Sequence, residues 1–159
     1  MKLSEIKKIL PENQCDCEEC KAMCERRPCW PTPKEAMLII KAGFADRLML
    51  DYWVSSPDDI EILCPAKAGS ECQRSPFNPE GPCVLQNKNG LCPLHSLGIK
   101  PLEGRLAYHG DKGEEAGKAS DMLHKAIAME WNSKKGKATV AYWKKRVKTI
   151  AKAAILWIT

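Results

Sequence analysis

The chain has 159 residues, 44% of them hydrophobic and 28% charged. That is the balance of a single soluble domain with a moderate core. Its net charge of +5 is unevenly placed: past Glu130 there are eight basic residues and no acidic one, while the preceding part carries 17 basic against 20 acidic, a net of −3. No run approaches the ~20 apolar residues of a membrane helix. Met1 to Leu10 carries four charged residues and is followed by Pro11, without the apolar run of a signal peptide. Nine cysteines, an odd number, exclude a complete internal disulfide set. The expectation is a cytoplasmic protein with reduced thiols and no membrane partner.

In chain order, residues 2–10 predict a short helix with Leu3, Ile6, Ile9 and Leu10 on one face. Cys15 to Cys29 then holds five thiols in fifteen residues. Thr32-Pro33-Lys34-Glu35 reads as a helix start, with Thr32 at the N-cap, Pro33 at the first helical position and Glu35 completing a capping box. That helix should stop near Gly43, with Phe44 to Leu50 adding a further turn or two. Ile60 to Cys64 alternates like a strand. Pro65 to Pro82 is irregular, with four prolines and two glycines.

Residues 83–86 and 91–94, around the polar turn Asn87 to Gly90, predict a β-hairpin that puts Cys83 and Cys92 on one face. A helix is expected over about 114–131, with Ala119, Leu123, Ala126 and Ile127 inward, and a break at 132–136. A second helix over about 137–155 carries the apolar stripe Val140, Trp143, Val147, Ile150, Ala151, Ala154 and Ile158. Its lysines Lys144, Lys145, Lys148 and Lys152, with Tyr142, Trp143 and Trp157 nearby, allow phosphate attraction. A solvated lysine face on a packed helix is the simpler account. His124 reads as a surface or packed histidine.

The thiols carry the chemistry. C-x2-C spacing folds the backbone around one metal, and Cys17 and Cys20 have it. Cys24 and Cys29 follow, and Cys83 and Cys92 are partners from across the fold. Cys15, Cys64, Cys72, His95 and His109 are further candidate ligands. Lys21, Arg26 and Arg27 would offset thiolate charge. Buried reduced cysteines acting as small hydrophobes are the competing account, and they suit Cys64 best. The chain carries no phosphate-binding glycine loop, nucleophile elbow or zinc-protease motif, so a binding protein is expected in preference to an enzyme.

Cys17-x2-Cys20-x3-Cys24 with Cys29, then Gly81-Pro82-Cys83-Val84-Leu85, Leu91-Cys92-Pro93-Leu94-His95 and Lys100-Pro101-Leu102-Glu103-Gly104-Arg105, resembles the signature of a zinc- or iron-chelating domain family. The match covers about residues 15–109 in order and spacing. It departs from the family pattern at the adjacent cysteine pair, which is absent, and at the final cysteine, which is Gly104 here. The resemblance implies metal chelation; some relatives look like iron–sulfur methyltransferases acting on protein lysines.

The reading is therefore a small irregular α+β fold with a cysteine-rich, metal-stabilised core, a short β-hairpin and a C-terminal pair of helices. Residues 1–113 form the metal-binding body, and 114–159 a helical extension packed on it. One or two zinc ions are expected, in a binding or adaptor module whose partner is another protein. The alternatives are an iron–sulfur cluster with a redox or methyltransferase-like role, and nucleic-acid binding through the basic C-terminal helix.

Overall fold

The computed structural model describes residues 1–12, 17–75, 80–106 and 113–156, and the side chains of these residues up to 151. Among them are seven helices and one antiparallel pair of strands: α1 Leu3–Ile9, α2 Glu18–Arg26, α3 Pro33–Ile39, β1 Leu48–Trp53, β2 Ile60–Pro65, α4 Pro93–Ser96, α5 Leu102–Leu106, α6 Gly113–Trp131 and α7 Lys134–Leu156. The small α+β class and the C-terminal helix pair are as expected.

Local sequence rules account for α3. The Glu35 amide donates to Thr32 Oγ1 at 3.4 Å, and the Thr32 amide donates to Glu35 Oε2 at 2.7 Å. The same carboxylate accepts from the Leu102 amide at 3.3 Å and pairs with Arg105 at 2.7 Å. A helix cap thus also anchors α5, which lies 67 residues further along the chain. Past Ile39 the chain continues in a wider turn to Phe44, where Gly43 adopts φ +96°. That left-handed conformation suits glycine and ends the helix.

The expected helical turns through Leu50 stop at Arg47, and β1 begins at Leu48. Leu48, Met49, Leu50 and Asp51 are all buried, so this strand carries no polar face to give it an alternating pattern. It pairs with β2 in the register Leu48↔Pro65 to Trp53↔Ile60. Its other edge is covered by residues 72–75, through Cys72 N to Leu48 O, Leu50 N to Gln73 O and Ser75 N to Leu50 O.

The hairpin predicted over 83–94 is not formed. The turn exists, closed by Asn87 N to Leu91 O at 2.8 Å, but no strands flank it. Cys83 instead bonds to the Cys24 carbonyl at 2.8 Å, and Val84 to that of Ala66 at 2.9 Å. Pro93, which has no N–H for a ladder, starts α4 with Cys92 as its N-cap.

Three tryptophans pin the helices to the body. Trp131, at the end of α6, is 1% exposed and donates its indole N–H to Pro31 O at 2.8 Å. On α7, Trp143 donates to Ala45 O at 2.7 Å. Trp30 donates to Asp51 at 2.7 Å. Each buries a large ring with its one polar atom satisfied. α6 packs on α1, while α7 packs on α3 and β2. The predicted stripe of α7 holds as far as Val147, which is half-buried against the core, while Ile150 and Ala151 are exposed. The side chain of Ala154, and Ile158, lie outside the described residues.

Candidate metal centre

Cys24 lies in the last turn of α2, and Cys29 follows the extended pair Arg27-Pro28. Their thiols are hydrogen-bonded to each other. Cys83 is drawn onto this pair by its backbone bond to Cys24. Cys92 reaches it because the 86–91 turn docks on α2: Gln86 donates to the Lys21 carbonyl at 2.9 Å, and the Lys21 side chain lies across Gly90. Cys24 shares the wall of one void with Cys29 and of another with Cys92, and Cys83 is tied to Cys24 through its backbone.

The four thiols differ in acidity. The hydrogen bond from Cys29, helped by the charge of Lys100, lowers Cys24 to about 7. The same bond, with complete burial, pushes Cys29 well up. Burial raises Cys83 to about 12 and also raises Cys92. Cys24 is thus the most acidic of the four, because a hydrogen bond and a nearby cation favour its charged form while burial disfavours that of the others.

Lys100 is that cation, and it is itself buried. It lines two voids with the thiols. One is an open cavity of about 130 Å³ bounded by Cys20, Lys21, Cys24, Gly90, Leu91, Cys92, His95 and Ser96 as well. The other, of about 10 Å³, lies among Cys20, Met23, Cys24, Cys29 and Gly104. A Cβ at Gly104 would stand 3.3 Å from Cys29 Sγ and 3.1 Å from Lys100 Cε. Position 104 therefore belongs to the thiol cluster although it carries no ligand.

Of the other predicted ligands, Cys17 is the N-cap of α2 and is half-buried. Cys20 is buried and lines both voids, and His95 lines the larger one. Cys64 is fully buried in β2, where loss of solvent pushes its thiol well up. Cys72 is exposed, with its Sγ 3.5 Å from the Asp46 carbonyl. Cys15 and His109 lie outside the described residues. No disulfide joins the eight described cysteines. Among the described residues, no three His, Cys, Asp or Glu side chains already stand in metal-holding geometry. The donor chemistry suits a soft ion, and ligation would need the thiols to turn inward.

Sequence reasoning missed the polar network beside the cluster. Glu103, on α5, accepts from the Trp30 amide at 2.6 Å and faces His124 Nε2 at 2.7 Å. Arg27 Nη2 lies 3.9 Å from the same carboxylate, and its guanidinium covers the Trp30 ring at 5.2 Å. Burial alone would raise the Glu103 carboxyl, but the bond from His124 and the charges of His124 and Arg27 bring it below the usual range. No local signal marks these residues: Glu103 is 73 positions from Trp30 and 21 from His124.

Away from the thiols, a cleft of about 410 Å³ between the 55–61 loop and α7 is lined by Asp58, Asp59, Glu61, Lys137 and Lys144 among others, with no thiol or imidazole. No helix among the described residues is long and apolar enough to cross a membrane. Comparison with models of protein families, with curated proteins and with solved structures finds no match to this chain.

Proposed function

We propose that this chain is a metal-thiolate protein: a zinc-stabilised domain, held by Cys24, Cys29, Cys83 and Cys92, that serves as a binding or adaptor module. The observation that carries the reading is that Cys24, Cys29 and Cys92 line, with Cys20 and Lys100, two voids that share Cys24, while Cys83 is bonded through its backbone to Cys24. Packing does not require four cysteines to meet, whereas soft-metal ligation does. Cys20 and His95, on the cavity wall, are further donors within the same site. A bound ion supplies a cross-link between α2, the segment around Cys83 and the start of α4, so that its binding free energy becomes folding free energy.

The resemblance to the zinc- or iron-chelating domain family supports this reading. The position of that family's last cysteine, Gly104 here, adjoins Cys29. Lys100 occupies the space beside it and supplies a positive charge where the family signature supplies a thiolate.

The test is elemental analysis with an absorbance spectrum, on protein purified without air and without a nickel column. One or two zinc ions per chain and no visible band support the zinc domain. Iron with acid-labile sulfide would move the assignment to an iron–sulfur protein. Neither metal would overturn the reading.

A second reading concerns the partner. Beyond Trp143, α7 is exposed nearly all round, and Lys145, Arg146 and Lys148 lie beside exposed Tyr142 and Ile150. Lys144 is held by Glu61 at 2.9 Å. Such a basic extension suits an acidic partner, nucleic acid or protein, and binding that weakens steeply with salt would support it.

A further inference from the structure

Cys24 and Cys29 line the same small void but stand differently toward solvent. Cys24 is half-buried and lines the cavity of about 130 Å³, which has room for a few small molecules. Cys29 is only 8% exposed and is not on that cavity's wall. It lines, with Cys20, Cys24, Met23, Lys100 and Gly104, the void of about 10 Å³, which is too tight for a reagent. A small polar molecule can therefore arrive at Cys24, with Cys29 on the far side of the void that the two share.

From this arrangement we infer that Cys24 and Cys29 form a peroxide-responsive pair, in which a small hydroperoxide oxidises Cys24 and Cys29 closes a disulfide onto it. In the first step the Cys24 sulfur attacks the terminal oxygen of the hydroperoxide. The O–O bond breaks, the alcohol leaves with the thiol proton, and Cys24 becomes a sulfenic acid. In the second step the Cys29 sulfur attacks the sulfenic sulfur. The S–O bond breaks, and the oxygen leaves as water with the Cys29 proton. Two thiols lose two electrons in all, and one hydroperoxide is reduced to alcohol and water.

The chemistry of the pair does not depend on the metal-thiolate reading. Only its consequence does: the disulfide removes two of the four convergent donors, so oxidation would release a bound ion. Cys20 lines both voids as well, so a main product joining Cys24 to Cys20 would also overturn the proposal. Three other thiols are placed less well. Cys83 is buried, Cys72 is exposed on a different part of the surface with no described thiol beside it, and Cys92 lines the cavity but receives no described hydrogen bond from Cys24.

The test uses the full-length reduced chain in two forms, stripped of metal and loaded with zinc. Each is treated with equimolar hydrogen peroxide, quenched with an alkylating reagent and digested with trypsin. Cleavage after Lys21, Arg26 and Lys34 leaves Cys24 on peptide 22–26 and Cys29 on peptide 27–34. The expected main product in the stripped chain joins these two peptides. Cys29→Ser should leave a sulfenic acid on Cys24 that dimedone traps, and Cys24→Ser should leave Cys29 unmodified. Zinc release, followed with a chromogenic chelator, should rise in step with the joined peptide. Cys72→Ser should change none of this, and it provides a background free of the exposed thiol.

A main product joining Cys24 to Cys92 or Cys83, or oxidation confined to Cys72, would overturn the proposal. If either serine variant fails to fold, the peptide map of the unaltered chain still decides the matter. A chain that binds no zinc yet forms the Cys24–Cys29 disulfide refutes the metal reading alone. A chain that binds zinc and forms no such disulfide refutes the oxidation proposal alone.

Discussion

Glu103→Ala tests whether the network beside the thiols supports the fold. The Glu103 side chain is 9% exposed and meets the Trp30 amide, His124 and Arg27 together. Its removal leaves the Trp30 N–H without its acceptor, a loss of about 1–3 kcal/mol for a buried donor. It also strips the carboxylate from Arg27, whose Nε and Nη2 are buried and have no hydrogen-bond partner among the described residues. Breaking a buried ionic group from one side costs about 3–5 kcal/mol, and the two effects overlap, so the expected total is about 3–5 kcal/mol. Urea unfolding followed by tryptophan fluorescence at neutral pH measures it.

Glu103→Gln adds a check on sign. The folded-state carboxyl is depressed, so its ionised form contributes stability above the unfolded value and loses it as pH falls through the folded value. The advantage of the unaltered chain over Glu103→Gln should therefore shrink in acid. A loss for Glu103→Ala below about 1 kcal/mol, the size of an ordinary substitution, would refute the reasoning, as would an advantage that grows on acidification.

Other outcomes follow from single positions. Gly136→Ala drives a Cβ into the Trp131 carbonyl, so the α6–α7 turn must shift, and the denaturation midpoint should fall by an equivalent of about 2 kcal/mol or more. Cys64→Ala removes one fully buried sulfur remote from the cavity walls; it should cost about 1 kcal/mol in the same unfolding assay and leave the metal content unchanged. Lys145→Glu with Lys148→Glu should abolish any salt-sensitive binding to nucleic acid in a fluorescence titration and leave thermal stability within about 0.5 kcal/mol, since both side chains are exposed.

How much was legible depended on whether the determining contacts were local. The cap of α3 and the inward face of α6 were readable because their residues lie three or four apart. β1 was not, because Leu48 to Asp51 are buried in succession, between β2 and the 72–75 segment, and leave no alternation. The 83–94 hairpin failed because its residues pair with Ala66, Lys67 and Cys24 instead of with one another. Cys83 and Cys92 do approach the first thiols, but by the docking of 82–86 and the 86–91 turn along α2, with no ladder between them. The resemblance sets Gly104 at a ligand position, and the anchoring of α5 to the Glu35 cap is the long-range contact that local sequence does not carry.

The central claim is that Cys24, Cys29, Cys83 and Cys92 hold one soft ion. X-ray absorption at the metal edge, on protein loaded with stoichiometric zinc under reducing conditions, tests it most directly. The account predicts a shell dominated by sulfur near ~2.3 Å, reduced by one scatterer in Cys83→Ser. A shell of nitrogen and oxygen alone near ~2.0 Å, unchanged in that variant, would contradict it.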